Sequence, residues 1–260
     1  DWLATEFVRL KWDLKALQKT LVVSAAYRQS SAVRPELLRR DPENRLVARM
    51  SRLRLPAEVI RDQALLASGL LLEKIGGPGV RPYQPDGVWD EINVYGNLRN
   101  YRHDTGGNQY RRTLYTFWKR TAAPPSMALF DVPGREACRV RRSRTNTPLQ
   151  ALVLMNDPTY VEAARALAQR VVRAHRDPGA RIRLLFRTCV GRNPTIAEQW
   201  TLEEGLAKRA ATFRERAADA RRLASVGELP APADIDPVEL ATWTVAASVV
   251  LNTDEMVTRE

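Results

Sequence analysis

The chain has 260 residues, with 41 Lys and Arg against 30 Asp and Glu, a formal charge of +11 and 44% apolar types. That length can bury a sizeable core without disulfides or metals, and the composition argues against disorder. The longest nearly apolar run, Ala64 to Leu72, is broken by Ser68 and Gly69 and falls well short of the ~18 residues of a membrane span.

The chain opens on Asp1 directly in an amphipathic pattern, without a charged n-region and an apolar h-region, so any targeting signal is expected to have been removed or to lie upstream. Trp2, Leu3, Phe7, Val8 and Leu10 draw one helix, and Asp13 is placed to cap a second from Leu14 to Ala26. Asp41-Pro42 is expected to start another helix, and Pro56 with Glu58 a stronger one that ends at Gly76-Gly77. Residues 1–75 thus read as all-helical. From Gly76 the pattern breaks, because Gly76, Gly77, Pro78, Gly79, Pro82, Pro85 and Gly87 disfavour helix. Tyr110 to Trp118 is rich in aromatic and β-branched residues and fits a strand buried on both faces or a short helix.

One device punctuates the second half: Thr147-Pro148, Asp157-Pro158, Asp177-Pro178, Asn193-Pro194 and Asp236-Pro237 each read as an N-cap followed by Pro at the first helical position. Thr147 with Gln150 and Asp236 with Glu239 have capping-box spacing. Ile182, Leu185, Phe186, Cys189 and Val190 form one apolar stripe, which predicts a buried, reduced Cys189. Thr195 to Ala224 reads as a long half-exposed helix, Gly227 to Ala233 as a loop, and Asp236 to about Leu251 as a last helix. The expected fold is mainly α: one compact helical domain over 1–260, with helical parts at 1–75 and 147–260. Between them, 76–146 forms an irregular Gly/Pro-rich basic insert with room for a few short strands.

The whole net charge sits before residue 151. Arg99 to Arg144 alone carries eleven basic residues against Asp104, Asp131 and Glu136. Arg outnumbers Lys 35 to 6, which fits either a chain-wide compositional preference with internal pairing or a surface for anions. On the second reading the anion-binding candidates are Arg139, Arg141, Arg142 and Arg144, delivered just ahead of the helix at Thr147-Pro148, together with Arg111 and Arg112.

Other chemistry is thin. The two histidines, His103 and His175, have no His or Cys at ligand spacing, so no metal site is expected. His175 falls at a helix C-terminus. His103 beside Asp104, in a loop with Gly106 and Gly107, is a catalytic candidate without a recognisable nucleophile. Asp90 and Glu91 next to Trp89 could flank a sugar, with Trp89 as a stacking platform. Cys138 and Cys189 form no C-x-x-C motif, which excludes a redox dithiol or covalent haem attachment here, and a bond between them would need an oxidising compartment. No phosphate-cradling loop ends in Gly-Lys-Ser/Thr.

Several segments together carry a family pattern: Ser24-Ala25-Ala26-Tyr27-Arg28-Gln29-Ser30, Arg54-Leu55-Pro56-Ala57-Glu58, Lys74-Ile75-Gly76-Gly77-Pro78, Tyr83-Gln84-Pro85, Arg111 to Arg120 and Arg144 to Leu152. The chain resembles the planctomycete secreted domain known as domain of unknown function 1553, over nearly all its length. The resemblance implies a periplasmic or secreted modular protein that begins with a cytochrome-c-like module, the other domains of the same polypeptide being partners. Haem c would then belong to that absent N-terminal module, with no cofactor in this chain. It supplies no activity and no catalytic residues. The combined expectation is a non-catalytic binding or assembly module whose partner is an acidic polymer such as a polysaccharide, with nucleic acid disfavoured. The alternative is an enzyme on sulfated polysaccharide that uses the loops around Trp89–Glu91 and His103–Asp104.

Overall fold

A computed structural model of the protein describes residues 1–85, 87–89, 101–119 and 122–259. The chain divides into two units, residues 1–53 with the residues from 258 onward, and residues 54–257. The single sheet among the described residues pairs two strands of two residues each, β1 (Leu53–Arg54) and β2 (Thr258–Arg259).

In the first unit, α1 (Trp2–Arg9) and α2 (Leu14–Val22) flank a turn in which Lys11 and Trp12 take left-handed φ values of 54° and 63°. Asp13 caps α2 as its position indicates, accepting from Ala16 N at 3.0 Å. The helix ends at Val22, four residues earlier than expected. Asp41-Pro42 does not start a helix, because α3 (Pro35–Arg40) precedes it. The Asp41 carboxylate instead accepts from Arg45 N and Leu46 N at 2.9 and 2.8 Å, reaching four and five residues on and closing a loop. These amide bonds hold the Asp41 carboxyl below its ordinary pKa.

The second unit is built from α4 (Ala57–Ser68), α5 (Pro125–Ala128), α6 (Pro148–Asn156), α7 (Pro158–Ala174), α8 (Pro178–Cys189), α9 (Ile196–Glu215), α10 (Ala217–Ala224), α11 (Pro237–Leu251) and α12 (Asp254–Val257). The Asp-Pro device works as expected at α7, α8 and α11, where Asp157, Asp177 and Asp236 accept from Thr159 N, Ala180 N and Glu239 N at 2.9, 2.7 and 3.0 Å. It fails at Asn193-Pro194. There α9 starts two residues later, from a capping box in which Thr195 and Glu198 bond reciprocally. The stretch from Thr195 to Ala224 also divides into two helices at Arg216, whose backbone leaves the helical region. α4 stops at Gly69, which caps it in the left-handed region at φ 79°, before Gly76-Gly77 is reached.

The core lies where α7 packs on α11, with α4, α8, α9 and α10 around them. Ala163, Ala164 and Ala168 of α7 and Ala241 and Ala247 of α11 are fully buried, and such small side chains let two helices approach closely. Leu167, Val171, Ile182, Leu185, Leu240 and Val250 fill the space beside them. α11 buries residues around most of its circumference because neighbours cover it on several sides.

The described residues between α4 and α6 are mostly irregular apart from α5, as the Gly and Pro content indicates. Tyr110 to Trp118 forms no strand ladder: 3₁₀ turns occupy Gly106–Tyr110 and Thr113–Tyr115, and isolated parallel bridges join Leu72 to Arg111 and Val80 to Thr116. Irregular backbone leaves carbonyls without ladder partners, and burying one unpaired is costly. Arginines supply the donors. Arg61 of α4 reaches Arg111 O at 2.9 Å, Gln109 O at 2.5 Å and Thr113 Oγ1 at 3.1 Å. Arg165 of α7, fully buried, reaches Val226 O at 3.0 Å and Leu229 O at 2.5 Å, and Arg170 holds Ala67 O at 2.5 Å. Burial holds the pKa of both Arg61 and Arg165 below the ordinary guanidinium value. Arg61 and Arg165 therefore hold loops onto helices, and Arg170 ties α7 to the end of α4.

Candidate anion-binding site

The basic segment from Arg135 to Arg144 follows Pro133-Gly134, has no apolar periodicity and forms neither helix nor strand. Its path is fixed at three points. Asp131 Oδ2 accepts from Thr145 N and Thr145 Oγ1 at 2.6 and 2.7 Å. Arg142 Nη1 grips both Glu58 oxygens at 3.0 and 2.8 Å. Gln150, fully buried, donates from Nε2 to Leu129 O and Thr145 Oγ1 and accepts from Arg54 Nη2 at 3.0 Å. The expected Thr147/Gln150 capping box is absent for this reason: the Gln150 side chain is turned inward, and Thr147 makes no side-chain cap. The N-terminus of α6 keeps its amides free of that cap.

These anchors leave a cavity of about 210 Å³, lined among others by Arg54, Asp131, Arg141, Arg142, Ser143 and Arg144. Arg141 and Arg144 are exposed and have no ion-pair partner among the described residues. Arg54 Nε is buried and makes no hydrogen bond, and burial lowers the Arg54 pKa against the opposing charge of Asp254. Four arginines thus line the cavity together with one carboxylate residue, Asp131, and Arg142 is offset by Glu58. Arg139 is exposed on the same segment but does not line the cavity.

Arg111 and Arg112 stand elsewhere. Arg111 is buried, with its guanidinium on Pro78 O, Lys74 O and Gly76 O at 3.1, 2.9 and 2.5 Å and its charge 4.0 Å above the Tyr115 ring. Arg112 pairs with Asp62 at 3.3 Å. The burial of Arg111 corrects the expectation of an anion surface there, since its donors are committed to the irregular backbone.

The described catalytic candidates form no catalytic pair. Trp89 is 2% exposed, packed edge-on against Tyr101 and beneath Lys119, so it offers no ring face for stacking a sugar. Asp90 and Glu91 lie outside the described residues. His103 Nδ1 lies 3.0 Å from Asp104 O and 3.0 Å from Gln109 Nε2, while Asp104 Oδ2 accepts from Arg81 N at 3.0 Å. The imidazole therefore meets the Asp104 backbone, and the carboxylate that would orient a general base is bound elsewhere. Among the described residues no cluster of three His, Cys, Asp or Glu side chains is placed to hold a metal, and no helix is long and apolar enough to cross a membrane.

A larger cleft of about 1030 Å³ opens between the N-terminal ends of α8 and α11 and the flank of α9. Its charges largely satisfy one another. Asp177 caps α8 and meets Arg183, Asp236 caps α11, Glu239 takes Arg181, and Glu203 takes Gln199. Arg214 lines this cleft without an ion-pair partner among the described residues, whereas the smaller basic cavity gathers several arginines.

Sequence reasoning found Arg141, Arg142 and Arg144 from their density but not Arg54 or Gln150. Those two reach the cavity from far along the chain, and no local spacing announces them.

No match is found among curated proteins or solved structures. The family model for a protein of unknown function, PSD1 (DUF1553), matches residues 1–206 and ends within α9, so that α10 to α12 lie beyond it. The chain belongs to this family.

Proposed function

We propose that the chain is a non-catalytic binding module for an acidic polysaccharide, held through the basic segment that ends at Arg144. The observation that carries this reading is the pair Arg141 and Arg144, exposed, free of ion-pair partners among the described residues, and set around the same cavity as Arg54. Cations gathered on one irregular edge attract a polyanion over about a Debye length, ~8 Å at physiological salt. In keeping with the resemblance, the module would work in a secreted or periplasmic protein of planctomycete type, next to a cytochrome-c-like domain that carries the haem. Elution from immobilised heparin tests the binding. Arg139, Arg141 and Arg144 changed together to Gln should elute at clearly lower salt than the parent. The same change at Arg216, Arg221 and Arg222, in the charge-balanced half, should matter less. Equal elution of both triple variants and the parent defeats the reading.

A further inference from the structure

The cavity beside the basic segment has properties that a merely charged edge would not need. At about 210 Å³ it is smaller than the roughly 300–1,000 Å³ of sites for drug-sized ligands, so it has room for one ionic group and little of a chain. Its donors come from two separate stretches, Arg54 at the end of β1 and Arg141, Arg142, Ser143 and Arg144 of the basic segment. Arg54 is held by Gln150, itself fixed by Leu129 O and Thr145, so one wall is preorganised. Arg54 Nε, on the same guanidinium edge as the Nη2 that meets Gln150, is buried and makes no hydrogen bond.

We infer that this cavity is a specificity pocket for a single sugar monoester, sulfate or phosphate, projecting from the bound polymer. The inference rests on the polyanion reading above. A monoester presents three free oxygens on a tetrahedral centre, enough to engage Arg54, Arg141 and Arg144 at once. A carboxylate presents two in one plane, and a phosphodiester has two, with chain leaving on both sides that a cavity of this size does not accommodate. Asp131 in the wall does not oppose this strongly, since its Oδ2 is already bound by Thr145 N and Oγ1. Charge-assisted bonds from guanidinium forks supply the binding.

The test is an arginine Nε–H NMR titration of the full chain, with the Arg54 signal assigned by its absence in Arg54→Gln. Glucose 6-sulfate and glucose 6-phosphate should each move that signal to saturation at concentrations on the order of ten millimolar, and the comparison of the two ranks the esters. Glucuronate and a dinucleotide phosphodiester should need about tenfold more. The exposed-site variant Arg144→Gln, which breaks no internal contact, should raise the monoester midpoint about tenfold. An Arg54 signal that neither monoester moves, or that glucuronate or the dinucleotide moves equally well, overturns the pocket. If heparin retention stays sensitive to the Arg139, Arg141 and Arg144 changes in that case, the polyanion reading survives alone. Loss of both results ends both.

Discussion

The carboxylate of Glu162 occupies the space that a side chain on Gly227 would need, and that proximity locks the 226–230 loop to the centre of α7. Glu162 is 1% exposed, accepts from Leu229 N and Tyr110 Oη at 2.7 Å each, and lies 3.9 Å from the buried Arg165. Gly227 has φ 95°, a left-handed conformation that a side chain would strain even without the overlap. Gly227→Ala should therefore destabilise the chain by roughly 2–4 kcal/mol, measured as a fall in denaturant midpoint. Gly134→Ala, with open space around it, should leave the midpoint almost unchanged.

Buried arginines that bind carbonyls make a second prediction. Arg61→Met leaves Gln109 O, Arg111 O and Thr113 Oγ1 without the donors they now have, at a cost of about 1–3 kcal/mol for a group left unsatisfied, partly offset by removing a buried charge. The net loss should be roughly 2 kcal/mol. Arg221→Met, on the exposed flank of α10, should stay within about 0.5 kcal/mol of the parent.

Both cysteines are free, Cys138 exposed and Cys189 half-buried on the inner side of α8. Burial pushes the Cys189 thiol up to about 12, against a small opposing effect of Arg170. Because the thiolate is the reactive form, iodoacetamide under native conditions should modify Cys138 and spare Cys189. Mass spectrometry of the modified peptides reads the ratio. Comparable labelling of both would mean that α8 opens far more readily than its packing implies. Cys189→Ala should cost roughly 1 kcal/mol through lost volume.

Arg192 ties the start of α9 to α12, pairing with Glu198 and Glu255 at 2.7 Å each. Its hydrogen bond holds the Glu198 carboxyl down to about 2, below the ordinary 4.5. A depressed carboxyl pKa stabilises the fold above the unfolded value, and that stabilisation is lost as pH falls from about 4.5 towards 2. Glu198→Gln keeps one oxygen to cap Thr195 but removes the charge and one of the two oxygens that accept from Arg192. With about a third of each side chain exposed, the variant should be less stable by only about 0.5–1 kcal/mol at pH 7. Chemical denaturation across pH should show the gap closing below pH 4.5. A gap that persists unchanged at pH 2 would assign the effect to packing.

Helix starts whose cause is local were legible in the sequence. Asp157, Asp177 and Asp236 cap with their own carboxylates, so type and spacing suffice. Asp41-Pro42 looked the same but is a loop, because its carboxylate reaches amides further along than a cap would. Gly69 ended α4 early, although Gly76-Gly77 looked the stronger stop because apolar residues continue past Gly69 to Leu72. The arginine clamps were invisible in principle: Arg61 finds carbonyls some fifty residues away and Arg170 one about a hundred away, and a carbonyl leaves no trace in residue type. For the same reason the density of Arg139 to Arg144 announced the basic edge, whereas the burial of Arg111 and the recruitment of Arg54 and Gln150 needed the fold.

The most direct test of polyanion binding is calorimetric titration of the unmodified chain with heparin and with uncharged dextran at several salt concentrations. The account expects heparin to bind and dextran not to. The logarithm of the heparin affinity should fall linearly with the logarithm of salt, with a slope corresponding to roughly three or four released counterions. Heparin binding that ignores salt, dextran binding of equal strength, or no heparin binding at low salt would contradict it.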